Sequence, residues 1–185
     1  MIKERYNIPI EDFNQIGFDT NLLLETISKD DWRRLFSGRT TKAMYDVDNI
    51  GQVKFSFKLK EDGSTRLLLH ERQEEIKNDI GLSEKEVQKL QEGEVLAKTI
   101  DRSKHIIWLD SDTNELYKIK SKDIVVPPVI QGIELTKTDK TTLKNGGKVQ
   151  KDGIELFINP NEVYGFQINQ IKQEQAQEVT KGIKM

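Results

Sequence analysis

Hydrophobic and polar positions along this chain follow two alternating rhythms, a short helical spacing and a strand alternation, and the switch between them recurs three times. Each recurrence opens on one pattern: an aliphatic residue, Ser or Thr, two variable residues, Asp or Glu, three variable residues, Leu, two variable residues and Gly. The copies are Ile27-Ser28 with Asp31, Leu35 and Gly38; Leu82-Ser83 with Glu86, Leu90 and Gly93; and Leu135-Thr136 with Asp139, Leu143 and Gly146. Successive copies start 55 and 53 residues apart, the mark of an internal repeat.

Every position in the pattern has a physical role. Ser28, Ser83 and Thr136 suit the N-cap, where a side-chain oxygen accepts a hydrogen bond from a free backbone N–H. The acid three residues on can bond back to the N-cap N–H, and of the three acids only Glu86 is the preferred type for that capping box. The leucine lies on the buried face, and Gly38, Gly93 and Gly146 can take positive φ to stop the helix. The leading aliphatic residue can staple onto the first turn, Ile27 on Trp32 and Leu82 on Val87, whereas Lys140 breaks that pairing in the third copy. A helix this short is marginal alone in water, so each must pack on a sheet.

The strand alternation follows. In the first unit Val53, Phe55, Phe57 and Leu59 alternate with Lys54, Ser56, Lys58 and Lys60, and Asp62-Gly63 turns the chain into a strand over residues 65–70. The second unit predicts strands over 95–100, 105–109 and 116–119 with a polar turn at 110–114, and the third a hairpin of 153–158 and 163–168 around Asn159-Pro160-Asn161. The predicted fold class is α+β, built of tandem small units, each a short capped helix followed by an antiparallel β-hairpin or meander. Its divisions are a lead-in with a short helix (1–26), unit 1 (27–81), unit 2 (82–134), a shortened unit 3 (135–170) and a polar tail (171–185) expected to be frayed or disordered. The stretches 8–24 and 124–135 read as linkers with similar punctuation, aliphatic residues around proline and then Gly17 or Gly132.

Composition then narrows the function. The 185 residues include 29 Lys/Arg and 31 Asp/Glu, are 35% hydrophobic and carry a formal net charge of −2. That balance lacks both the basic signature of a dedicated nucleic-acid binder and the acidic, aromatic-poor signature of a disordered chain. The absence of cysteine excludes disulfides, thiolate metal sites and cysteine nucleophiles. Lys3, Glu4 and Arg5 interrupt any signal-like start, and no apolar run approaches the roughly 18 residues of a spanning helix, so a cytoplasmic protein without membrane contact is expected.

Catalytic signals are sparse. His70 and His105 sit within strand patterns without metal-ligand spacing and read as structural. Asp110-Ser111-Asp112-Thr113-Asn114 imitates the opening of a calcium loop, but Glu115 stands where the loop needs Gly and Ser121 where it needs Glu, so it reads as a hairpin turn. Gly146-Gly147-Lys148 is followed by Val149 where a phosphate loop needs Ser or Thr. No catalytic, cofactor-binding or metal site is predicted, and the expectation is a non-enzymatic protein.

Charge is uneven along the chain. Residues 71–94 carry eight acids against four bases, and residues 136–151 carry five lysines against Asp139 alone. In unit 1, Arg33, Arg34, Arg39 and Lys42, with Lys54, Lys58 and Lys60 on one strand face, form a candidate basic stripe for phosphates or an acidic partner. Trp32 and Trp108 fit core positions. A protein partner is expected, with DNA or RNA as the alternative, and exposed sheet edges make self-association a further option.

Four segments carry a resemblance: Ile8-Pro9-Ile10-Glu11-Asp12-Phe13 with Ile16-Gly17, the unit 28–38, the Thr113-Asn114-Glu115-Leu116 context within 110–117, and Val126-Pro127 through Gly132-Ile133-Glu134-Leu135. They cover most of residues 6–168, and there the chain resembles an uncharacterised repeat-domain family of bacterial mobile elements, notably conjugative transposons, whose members occur alone or appended to topoisomerase-like proteins. The resemblance implies a context and transfers no active site. The third unit departs from it, with a short hairpin in place of a longer basic and aromatic strand region. The expected function is a binding or adaptor protein of a mobile element acting through protein–protein contacts. An accessory DNA- or RNA-binding protein linked to element transfer or topoisomerase, and an antagonist of host defence, are the alternatives.

Overall fold

Each copy of the repeated pattern folds into the same unit, a short helix followed by a three-stranded antiparallel meander. The computed structural model describes residues 6–19, 21–162 and 164–171. Helices α1 (Ile10–Gln15) and α2 (Leu23–Thr26) lead into α3 (Lys29–Leu35), which precedes β1 (Tyr45–Val47), β2 (Gly51–Leu59) and β3 (Thr65–Glu71). The second unit has α4 (Glu84–Gln91), β4 (Leu96–Ile100), β5 (Ser103–Asp110) and β6 (Glu115–Lys120). A 3₁₀ turn (Ser121–Asp123) and a hairpin of β7 (Val129–Ile130) and β8 (Ile133–Glu134) connect it to the third, with α5 (Lys137–Lys144), β9 (Val149–Lys151), β10 (Ile154–Ile158) and β11 (Phe166–Gln170). In every unit the strands pair in chain order.

The third unit therefore has the same three strands as the others, where the sequence predicts only a hairpin. The missed strand β9, like β1 in the first unit, is three residues long, too short for alternation to register. The connection expected as a plain linker holds β7 and β8, which pair through a two-residue turn at Gln131-Gly132 with φ of 47° and 86°. The expected frayed or disordered tail lies outside the described residues beyond Ile171.

Helix starts and stops repeat in atomic detail. Ser28 Oγ accepts the Asp31 N–H at 3.0 Å, Ser83 Oγ the Glu86 N–H at 3.4 Å and Thr136 Oγ1 the Asp139 N–H at 3.1 Å. Glu86 and Asp139 both return the bond to the N-cap N–H, at 2.8 and 2.9 Å, so the shorter acid also closes a capping box. Asp31 does not. It is 2% exposed and accepts instead from the Tyr45 hydroxyl at 2.7 Å and the Lys42 N–H, tying α3 to the first strand. Burial, helped by that carboxylate, pushes the Tyr45 hydroxyl pKa up.

At the other end, the N–H groups of Gly38, Gly93 and Gly146 bond the carbonyls of Leu35, Leu90 and Leu143 at 2.9, 3.0 and 2.8 Å. The next N–H in each case reaches five residues back: Arg39 to Arg34, Glu94 to Lys89, Gly147 to Thr142. These are three Schellman stops, and the glycines have φ of 71°, 84° and 75° as the motif requires.

The cores are unequal. Leu35, with Ile27, Trp32, Phe13, Val53, Phe55 and Phe57, belongs to the first and largest. Leu90 packs with Leu82, Ile107 and Leu109 in a small second core, and Leu143 with Leu135, Val149, Leu156 and Ile158 in the third. That third core also takes Ile106 from β5, while Ile107 and Leu109 enter the second, so β5 is packed on both faces. The same holds for the middle of β2, where Val53, Lys54, Phe55, Ser56 and Phe57 are all buried. Alternation correctly makes Lys54 and Ser56 the polar phase of β2, but a neighbouring unit covers that phase.

Candidate functional site

What covers it is one face of the β5–β6 ladder. Three cross-strand pairs share that face in order: Ile106 with Ile119, Trp108 with Tyr117, and Asp110 with Glu115. The first pair packs toward the third unit's core. The last meets the first unit. Lys54 Nζ lies 2.8 Å from both Asp110 oxygens and 2.7 Å from Asp112, with Lys54 and Asp110 4% and 6% exposed. Asp110 Oδ1 also accepts the N–H groups of Asp112 and Thr113 at 3.0 and 3.3 Å. The calcium-like turn thus places its carboxylates around a lysine ammonium. Among the described residues no cluster of three or more His, Asp or Glu could hold a metal.

Beside this ion pair, Ser56 Oγ lies 2.7 Å from His70 Nε2, and His70 Nδ1 lies 2.7 Å from Glu115 Oε2. The Tyr117 hydroxyl donates to the same carboxylate and sits 3.1 Å from His70 Nδ1. Burial pushes the Glu115 pKa up, but the His70 and Tyr117 hydrogen bonds outweigh it and hold the carboxyl below its usual range. Burial and the adjacent carboxylate push the Tyr117 pKa up. His105 is buried apart from this line, with Nδ1 2.9 Å from the Ser103 carbonyl.

The first unit reaches the third through two arginines. Arg34, 4% exposed, donates from Nε to the Thr40 carbonyl at 2.6 Å and from Nη1 to the carbonyls of Asn161 and Glu162, each at 3.1 Å. Arg39 donates from Nη1 to the Glu162 carbonyl at 2.8 Å and from Nε to Ser37 Oγ at 3.0 Å. Burial, reinforced by the Arg34 charge, lowers the Arg39 pKa to about 10, which leaves it a cation at neutral pH. Burial also lowers the pKa of Arg34, opposed by Asp31. Gly165, at φ 78°, keeps its backbone close to that guanidinium; a Cβ there would stand 3.3 Å from Arg39 Nη1.

Between the apolar and polar seams the middle pair, Trp108 and Tyr117, is only half-buried. The rings stack at 5.5 Å and 18° and form a wall of a cleft of about 360 Å³. All three units contribute: Arg39 and Ser56 from the first, Trp108 and Tyr117 from the second, Tyr164 and Phe166 from the third. Tyr164 is 63% exposed. No family model matches the chain, and no curated protein or solved structure is detectably similar to it.

The predicted basic stripe is not one surface. Arg34 and Lys54 are buried and spent on seams between units, Arg39 lies in the cleft, and Arg33 is exposed and pairs with Asp30 at 2.5 Å. Lys42, Lys58 and Lys60 are exposed. Gly146 and Lys148 are accounted for structurally, the first as a helix stop, the second by its 2.8 Å ion pair with Glu155. Sequence reasoning missed Trp108, Tyr117 and Tyr164 as cleft residues and the Ser56–His70–Glu115 line. The available signal was phase: Trp108 and Tyr117 lie opposite in phase to Ile107, Leu109 and Leu116, which pack on α4's core.

Proposed function

We propose that this chain is a non-enzymatic binding protein that seats an aromatic or apolar side chain of an extended protein segment in the three-unit cleft. The observation that carries this reading is the Trp108–Tyr117 stack, half-buried between two closed seams and lining one cleft with Tyr164 and Phe166. Amphipathic rings of this kind supply large contact area with little entropy to lose, which is why binding hot spots favour them. The role as an adaptor in a bacterial mobile element rests on the resemblance of the repeat and linker residues. Among the described residues no helix is long and apolar enough to cross a membrane.

The test is a photo-crosslinking residue at position 164 in the native host, with and without Trp108→Ala. Adducts to one protein that disappear in the Trp108→Ala background support the reading. Adducts that persist unchanged, or none at all, refute it. A second reading, acyl transfer, has one observation in its favour: Ser56, His70 and Glu115 stand in a nucleophile–base–acid line at 2.7 Å spacings, with Ser56 on the cleft wall. Covalent labelling by a fluorophosphonate probe that Ser56→Ala abolishes would establish it, and no labelling of the intact protein would dismiss it.

A further inference from the structure

On the side of the molecule where α5 meets the end of the second sheet, a separate cleft of about 350 Å³ is lined by Lys104, Lys120, Lys122 and Lys144 together with Ser121 and Thr141. No Asp or Glu lines it. Elsewhere the described lysines that border on acids are paired: Lys54 with Asp110, Lys98 with Glu86, Lys148 with Glu155. The side chains of the four cleft lysines make no ion pair or hydrogen bond among the described residues. Lys104, Lys120 and Lys122 are exposed and Lys144 is half-buried.

Their convergence follows from the fold. Lys104 is on β5 and Lys120 ends β6, Ser121 and Lys122 begin the 3₁₀ turn, and Thr141 and Lys144 share one face of α5 at i and i+3. Packing of Leu143 and Ile106 in one core draws these elements together. Four lysines border one concavity with no carboxylate among its lining residues, so the local potential there is positive and favours an anion. Ser121 supplies a second, independent observation. Its residue is 9% exposed, its Oγ is buried and has no hydrogen-bond partner, and it stands at the cleft wall. An unmade hydrogen bond on a buried hydroxyl costs free energy, and a phosphate oxygen that reaches Ser121 Oγ through a small shift of the cleft wall would restore it.

We infer that this cleft binds linked phosphates of a nucleic-acid strand. The choice follows from what the cleft contains and what it lacks. Ammonium groups are point donors for phosphate oxygens, and no aromatic ring lines the cleft, so bases have no stacking platform and recognition is of backbone, indifferent to sequence. The site differs from the stripe predicted in the first unit and shares no lining residue with the three-unit cleft, so failure of either reading leaves the other intact.

The experiment is fluorescence anisotropy of a labelled single-stranded DNA of about 12 nucleotides, titrated with the full chain at several salt concentrations beginning at about 50 mM. Four phosphate contacts predict a slope of log affinity against log salt of about −3. Lys120→Glu/Lys122→Glu/Lys144→Glu should weaken binding at least tenfold, whereas Lys58→Glu/Lys60→Glu, exposed lysines of the first unit, should change it less than twofold. Strands of different sequence should bind alike. Circular dichroism melts confirm that each variant is folded, and Ser121→Ala, which adds no charge, should weaken binding without altering the slope. Absence of saturable binding at low salt, equal losses from the two sets of charge reversals, or binding of inorganic polyphosphate without binding of the oligonucleotide would overturn the inference.

Discussion

Gly93 and Gly146 hold the same place in the repeat and the same left-handed backbone, yet replacing them with alanine should have different consequences. At Gly93 an added Cβ meets nothing within 4 Å, so Gly93→Ala bears only the cost of a side chain at φ 84°, about 1–2 kcal/mol. At Gly146 the same Cβ would stand 2.5 Å from the Ala97 Cβ and 3.1 Å from Ile106 Cδ1. The isoleucine methyl can swing away, but Ala97 is fixed on β4, so the backbones must part by about 1 Å, an overpacking cost of about 1–3 kcal/mol on top of the first. Gly146→Ala should therefore lose about 3 kcal/mol in urea unfolding, roughly twice the loss at Gly93. Ala97→Gly should reverse the difference: mildly destabilising alone, by about 0.5–1 kcal/mol, it should stabilise the Gly146→Ala background. Equal losses at the two glycines, or an Ala97→Gly effect that is the same in both backgrounds, would refute the close approach of α5's end to β4.

Three further outcomes follow from the seams and caps. Lys54→Met strands the buried Asp110 carboxylate and should cost about 3 kcal/mol, of which Lys54→Met/Asp110→Asn should recover at least half, because Asn keeps the acceptor for the turn N–H groups; urea unfolding of both variants checks this. Lys98 and the Ser83 cap bonds hold the Glu86 pKa at about 2, below its ordinary 4.5, so its contribution is complete above that ordinary value and disappears as pH falls toward 2. The melting temperature of Glu86→Gln should accordingly lie below that of the parent at neutral pH and converge with it near pH 2. Trp108 faces the cleft while Trp32 is 8% exposed, so acrylamide should quench the emission of Trp32→Phe more steeply than that of Trp108→Phe.

Local features of the fold were legible because they depend on residues close in sequence. A capping Ser or Thr, an acid three residues on, a leucine and a glycine determine helix start, buried face and stop within about ten residues, and all three copies adopt that geometry. Strand phase was legible for the same reason. What alternation cannot report is what covers the polar phase. Lys54 and Lys58 are indistinguishable in the pattern of β2, yet one is buried against Asp110 and the other is exposed, because the hairpin at residues 111–114 reaches only the first. Arg33 and Arg34 are likewise neighbouring cations in the sequence pattern, yet the Arg34 fork serves carbonyls in the third unit more than 120 residues away. The two clefts were illegible for a related reason: each combines side chains from different units, and only the packing of units sets them together.

The repeat itself explains why the site lies where it does. A three-stranded meander has two faces, and the unit's own helix covers one. In the second unit the other face runs from Ile106–Ile119 through Trp108–Tyr117 to Asp110–Glu115, from apolar to aromatic to charged along a single strand pair. The third unit covers the apolar end and the first unit pairs with the charged end. Since the two neighbours take opposite ends of one short ladder, the middle pair is left half-buried, touched at the Tyr117 hydroxyl end by His70, and an amphipathic pair is the chemistry that tolerates it. Arg34 and Arg39 bring the first and third units together across the gap, giving the aromatic pair a far wall in Tyr164 and Phe166. The cleft is consequently a property of the assembled set of three units: separating any one of them would leave Ile106 and Ile119, or Asp110 and Glu115, without the neighbour that covers them.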